Sequence, residues 1–221
     1  MQPNLAQVLN TLAHEIRTPL AVSQGYLKLY LDGRLKDVDE TRKAFEQARQ
    51  ALGALATLCV DMGKVSTLSE AGATGIPARL ATADFVTSLR EQAEVTAAAW
   101  EDGGTAGAGT TAIETSNARE LAQAVAIVSK AAFDEARSDP HTVRTSVDGE
   151  RLIVLAGTAA ALPALQAGPG APGAGAVDFV KGGKGLKLIW AAFVLDRHGV
   201  ETWTDQQHRA AVGFRIPLVS A

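Results

Sequence analysis

The stretch His14-Glu15-Ile16-Arg17-Thr18-Pro19-Leu20 decides how this chain is read. Around it, Leu5, Leu9, Leu12, Ile16, Leu20, Leu27 and Tyr30 recur mostly at spacings of three and four, with a gap near Ser23. That period marks an amphipathic helix that packs against other helices. His14 falls between Leu12 and Ile16. At about 100° per residue it stands some 200° from each, so its imidazole is expected to face solvent. Pro19 has no N–H, so the carbonyl of Glu15 loses its helical partner, and the helix is expected to loosen or bend just below the histidine. Thr18, four residues on, shares His14's face. An outward imidazole beside a carboxylate, over a weakened turn, suits a nucleophile that must meet a large partner.

Working outward, the first helix is predicted from about Asn4 to Leu31, with Asp32-Gly33 as its stop. Asp37 followed by Glu40 reads as a capping box for a second helix. There Phe45, Ala48, Leu52, Leu55, Cys59 and Met62 carry a similar stripe to about Leu68. Two such helices joined by a short loop form an antiparallel hairpin. A lone hairpin cannot bury both stripes. A second copy would complete a four-helix bundle, and packing on the rest of the same chain is the alternative.

The totals exclude several classes. At 221 residues there is room for one or two domains. The net charge of −3 gives no basic footprint for nucleic acid. Hydrophobic residues make up 47% and charged ones 20%, as in ordinary globular proteins. Cys59 is the single cysteine, so no intrachain disulfide can form, and its place in an apolar stripe predicts a core position. No charged-then-apolar leader precedes Asn4, and no apolar run approaches about 18 residues, so a cytoplasmic chain with no membrane partner is expected.

Residues 71–83, rich in Gly, Ala and Thr, read as a hinge between a hairpin over 1–70 and a second domain over 84–221. In that domain Asp84 is expected to cap a helix from Phe85 to about Trp100, and residues 103–109 form a turn or loop. Thr110 to Thr115 alternates like a strand. Asn117 caps a helix to Arg137, with Leu121, Val125, Val128 and Ala132 on one face. Thr142–Val147 and Arg151–Leu155 flank Asp148-Gly149, a hairpin signal. Residues 157–176 read as loop. A helix follows from Gly185 to His198, then strands over 200–203 and 212–218.

With the motifs in place, the chain resembles the two-component histidine kinases. His14, Glu15, Arg17, Pro19 and Leu20 match every fixed position of that family's H-box, His-Glu-x-Arg-x-Pro-Leu. Gly183-Lys184-Gly185-Leu186-Lys187-Leu188 is similar to its second glycine box, and Asp196 to Gly199 and Gly213 to Leu218 are similar too. The resemblance implies an α+β fold: a dimeric four-helix bundle from the hairpin, then an α/β sandwich like the family's ATP-binding domain, a mixed sheet covered by helices on one face.

The departures shape the expected function. Aligning 126–131 with the family's Asn-Leu-Leu-x-Asn-Ala puts Lys130 where an asparagine helps hold Mg²⁺, and a charged lysine cannot ligate a cation. Where the family's Asp-x-Gly-x-Gly should stand, the chain reads Ala156-Gly157-Thr158-Ala159-Ala160. The loop over the phosphates is rewritten as Gly168-Pro169-Gly170-Ala171-Pro172-Gly173. Only Gly183 and Gly185 remain as a remnant glycine box. Gly168-x-Gly170-x-x-Gly173 is no dinucleotide loop, since two prolines interrupt it. His141, His198 and His208 show no ligand spacing, and no metal site is expected. Lys181, Lys184 and Lys187 are either a solvated helix entrance or a docking patch for an acidic partner.

The expectation is therefore a histidine phosphotransferase that relays a phosphoryl group between response-regulator receiver domains through His14, without binding ATP. Glu15 would hydrogen-bond the other imidazole nitrogen, Thr18 would position water or phosphoryl oxygens, and Arg17 would hold Glu15 or partner charge. Mg²⁺ would come with the receiver. The alternatives are an active sensor kinase core with a divergent ATP site, and a non-enzymatic dimeric adaptor that docks response regulators.

Overall fold

The computed structural model describes residues 4–70, 78–103, 111–136, 140–171, 174–177, 185–205 and 210–220. Helix α1 spans Leu5–Leu31 and helix α2 spans Val38–Glu70. Asn4 opens α1 with a reciprocal capping box, its side chain accepting from the Gln7 N–H while Gln7 Oε1 accepts from the Asn4 N–H, both at 2.9 Å. Gly33, φ 64°, closes it in the left-handed region, as its sequence position predicts. The Glu40 N–H donates to Asp37 Oδ1 at 2.7 Å, and the Glu40 carboxylate reaches back to Lys36 N rather than to Asp37. Inside the hairpin Ala44, Ala48 and Ser23 are buried, with the Ser23 hydroxyl donating to the Ala48 carbonyl.

The remainder is built on two sheets. β1 (Ala78–Ala81), β3 (Thr111–Thr115) and β9 (Val219–Ser220) form one, in the order β1-β3-β9. The larger sheet contains β2 (Ala99–Asp102), β4 (His141–Asp148), β5 (Arg151–Thr158), β6 (Ala174–Gly175), β7 (Glu201–Asp205) and β8 (Val212–Pro217). Its order is β2-β4-β5-β8-β7-β6, with β2 parallel to β4 and every other pair antiparallel. Helices α3 (Thr82–Arg90), α4 (Ala118–Ala136) and α6 (Gly185–Arg197) bury the main core against it. Alternation along β5 sends Leu152, Val154 and Ala156 to that core. Leu155 points to the other face, where it meets the short helix α5 (Leu162–Leu165) and Trp203.

Several expectations need correction. The described part of the anticipated hinge, residues 78–83, is strand β1 and the start of α3, because β1 pairs residue for residue with β3. Residues 71–77 lie outside the description. α3 stops at Arg90 rather than near Trp100, since its buried stripe of Phe85, Val86 and Leu89 meets Gln92 one turn on. Trp100 instead lies in β2, opposite Val143, under the guanidinium of Arg90 at 5.0 Å. Asp148 pairs with Arg151, so the turn is Gly149-Glu150, one residue later than predicted, with Gly149 at φ 56°. Residues 157–176 hold the end of β5, α5 and β6 as well as loop, because Leu162 and Leu165 are buried against the sheet. Cys59 is exposed, not core.

The hairpin docks on the larger unit. Val8 and Leu12 of α1 and Leu58 and Val65 of α2 pack against the core that contains α6. The other stripe residues stay open: Leu9, Leu20 and Leu27 on α1, and Phe45, Leu52 and Met62 on α2, are all exposed.

Candidate functional site: the H-box face of α1

His14 sits in the middle of α1 with its side chain exposed, on the face that the period predicts. α1 runs on through Pro19 without a break in its assignment. Arg17 and Thr18 are exposed as well. Glu15 is different. It is half-buried and lies against the first residue of α6: a Cβ built on Gly185 would come within 2.5 Å of Glu15 Cδ. Among the described residues, none of the side chains of His14, Glu15, Arg17 and Thr18 makes a hydrogen bond or ion pair. Sequence reading placed these residues together. It gave no sign that Glu15 turns toward a residue 170 positions away, because that contact depends on how the hairpin docks.

A cleft of about 320 Å³ opens between α2, α4 and α6. Asp61, Lys64, Glu94 and Lys187 line it, with Gln123 and Trp190. Two carboxylates face two ammonium groups there, so their formal charges balance. Lys130, one turn beyond Ile127 on α4, is exposed and pairs with Asp134. Among the described residues no three His, Cys, Asp or Glu side chains gather as a metal site.

Residues 4–69 match the family model of the His Kinase A (phospho-acceptor) domain. The helical hairpin thus belongs to the His Kinase A (phospho-acceptor) domain family. The histidine kinase AdeS of Acinetobacter baumannii is similar in structure, at 16% identity and a TM-score of 0.58 over 92% of this chain and 97% of that one. Full-length ShkA, solved in complex with AMPPNP, is similar at 17% identity and a TM-score of 0.53, over 96% of this chain and 46% of its own. These likenesses carry the fold. A structure described as a bacterial phosphotransferase reaches a TM-score of only 0.38 at 14% identity, too low to bear on fold or function. No curated protein sequence matches the chain.

Lys130, which the sequence resemblance sets against the kinase asparagine, is held by Asp134. Ala156, which the sequence resemblance sets at the family's aspartate position, is fully buried and has no polar side-chain atom. Gly157, beside it, admits Ala211 so closely that a Cβ would meet the Ala211 Cβ at 2.6 Å. Of the remnant glycine box, Gly183 and Lys184 lie outside the described residues. Gly185 begins α6, and Leu186 and Leu188 are buried in the core.

Proposed function

We propose that this chain is a histidine phosphotransferase that passes phosphoryl groups between response-regulator receiver domains without using ATP. The observation that carries the reading is the exposed, unpaired His14 on a phospho-acceptor hairpin. An imidazole nitrogen attacks the phosphorus of a receiver's phosphoaspartate. The new N–P bond forms as the P–O bond to the aspartyl oxygen breaks, and the carboxylate leaves with the electron pair. The ring's other nitrogen sheds its proton toward a nearby base, and Glu15 is the adjacent candidate. The reverse step delivers the group to a second receiver. Mg²⁺ held by the receiver neutralises the transferring charge. In this reading the exposed Thr18 meets phosphoryl oxygens and the exposed Arg17 meets Glu15 or partner charge.

Three features support a domain that has lost nucleotide chemistry: a lysine ion-paired at the aligned metal-ligand position, a buried alanine at the aligned aspartate position, and a charge-balanced cleft. Losing several such contacts together removes useful affinity, since each is worth a few kcal/mol. The exposed stripes of α1 and α2 support a homodimer closed into a four-helix bundle. No described helix is long and apolar enough to cross a membrane.

The kinase reading is the second one, favoured by the family fold. Calorimetric titration with Mg-ATP, together with labelled-ATP incubation of the intact chain and its His14→Ala variant, separates the two. Silence in both assays is expected here. Heat of binding with His14-dependent label would replace the relay by a working kinase.

A further inference from the structure

The first residue of α6 is glycine for two separate reasons. Its φ is 55°, where side chains are strained. A Cβ there would also lie 2.5 Å from Cδ and 2.7 Å from Oε2 of Glu15. The carboxylate thus occupies the space a side chain would fill, at the end of α6 that carries partial positive charge. Val8, Leu12 and Glu15 recur at i, i+4 and i+7, so one stripe of α1 faces α6, apolar for two turns and then acidic. Side chains of adjacent helical residues diverge by about 100°. Consistently, Glu15 is turned to α6, and neither it nor His14 hydrogen-bonds to the other.

We propose that Gly185 is a positioning residue for the chemistry at His14: its missing side chain seats the Glu15 carboxylate on α6 and withholds it from the imidazole. The inference rests on His14 being the phosphoryl acceptor. Seated and ring-bound Glu15 are the two states of one element. On the ring, the carboxylate fixes the tautomer and frees the attacking nitrogen; on α6, it leaves the ring unaligned. A surface charge at a helix end shifts such a balance by about two- to fivefold. Emptying the seat raises the ring-bound share by that factor.

The test uses the full chain and potassium phosphoramidate, which reads the ring's own reactivity without a receiver. A His14 nitrogen forms the N–P bond as the donor's N–P bond breaks, and ammonia leaves. Asparagine tolerates a left-handed φ while its Cβ evicts Glu15. Gly185→Asn should speed phosphorylation about two- to fivefold, and the gain should vanish in a Glu15→Ala background. No gain, a loss, or a gain that survives without Glu15 overturns the proposal. The tautomer ratio of His14, read by nitrogen NMR, decides it even where Gly185→Asn misfolds. The ratios of wild type and Glu15→Ala coincide if the carboxylate is seated, and a clear change in Glu15→Ala shows it already on the ring. Equal labelling of a His14→Ala chain would instead refute the acceptor reading, while the tautomer ratio still reports on the seat.

Discussion

The indole of Trp203 lies flat on Gly213, so closely that a Cβ at Gly213 would fall 2.3 Å from Trp203 Cε2. The indole N–H donates to the Leu165 carbonyl at 3.0 Å, and the Arg215 guanidinium stands 5.9 Å from the ring centre. A Cβ at Gly168 would in turn come within 2.8 Å of an Arg215 nitrogen. These contacts pin the segment after β5 to the sheet face opposite α4 and α6.

Trp203→Ala should therefore destabilise the protein by about 3–5 kcal/mol, from lost burial and a cavity, and the Leu165 carbonyl would keep only the Gly168 N–H as its donor. Gly213→Ala should cost about 1–3 kcal/mol by overpacking. Urea denaturation followed by tryptophan fluorescence and circular dichroism measures both. A loss below about 1 kcal/mol for Trp203→Ala, well under the usual cost of emptying a core site, would mean that this face is not a packed core.

Installing kinase-type side chains should not create nucleotide binding. Lys130→Asn with Ala156→Asp supplies the two residue types, yet the segment after β5 stays fastened to the far face and Asp61 and Glu94 still line the cleft. Calorimetry with Mg-ATP is expected to show no binding by the double variant. Micromolar affinity would show that two side chains alone had silenced the domain.

The open stripe predicts assembly. Leu27 is 44% exposed and Leu52 54% exposed, apolar side chains that the described residues leave about half open. Sedimentation equilibrium should find a dimer, and Leu27→Glu should shift it to monomer, because a charge at a packed seam is left without a partner. A monomeric wild-type chain would remove the four-helix bundle from the account.

Much of this was legible beforehand, for physical reasons. α1 and α2 follow from a strong period, a capping signal at Asp37 and a glycine stop at Gly33, all local features. His14 faces outward by the same period. β2 was not legible, because Ala97-Ala98-Ala99 favours a helix and only pairing with Thr142–Thr145 makes it a strand. The seat of Glu15 and the fold of 157–171 over the sheet were hidden too, since both depend on contacts distant in sequence. Cys59 was misread because the period gives a face and not what covers it.

One acid effect follows from α2. Hydrogen bonds from Arg49, and then Gln50, hold the exposed Glu46 carboxyl below its ordinary value of 4.5. A carboxyl with a lowered folded pKa contributes stability above the unfolded pKa and loses it as pH falls through the folded one. Thermal melts should show wild type and Glu46→Gln converging on acidification below about pH 4.5, with only a small difference above it. A gap that widens on acidification would contradict the sign.

The most direct measurement is transfer from a purified phosphorylated receiver domain to this chain. The account predicts acid-labile, base-stable label on the intact chain within the lifetime of the phosphoaspartate, none on His14→Ala, and onward transfer to a second receiver. Label that appears regardless of His14, or a phosphorylated receiver that never gives up its phosphoryl group to the chain, would contradict it.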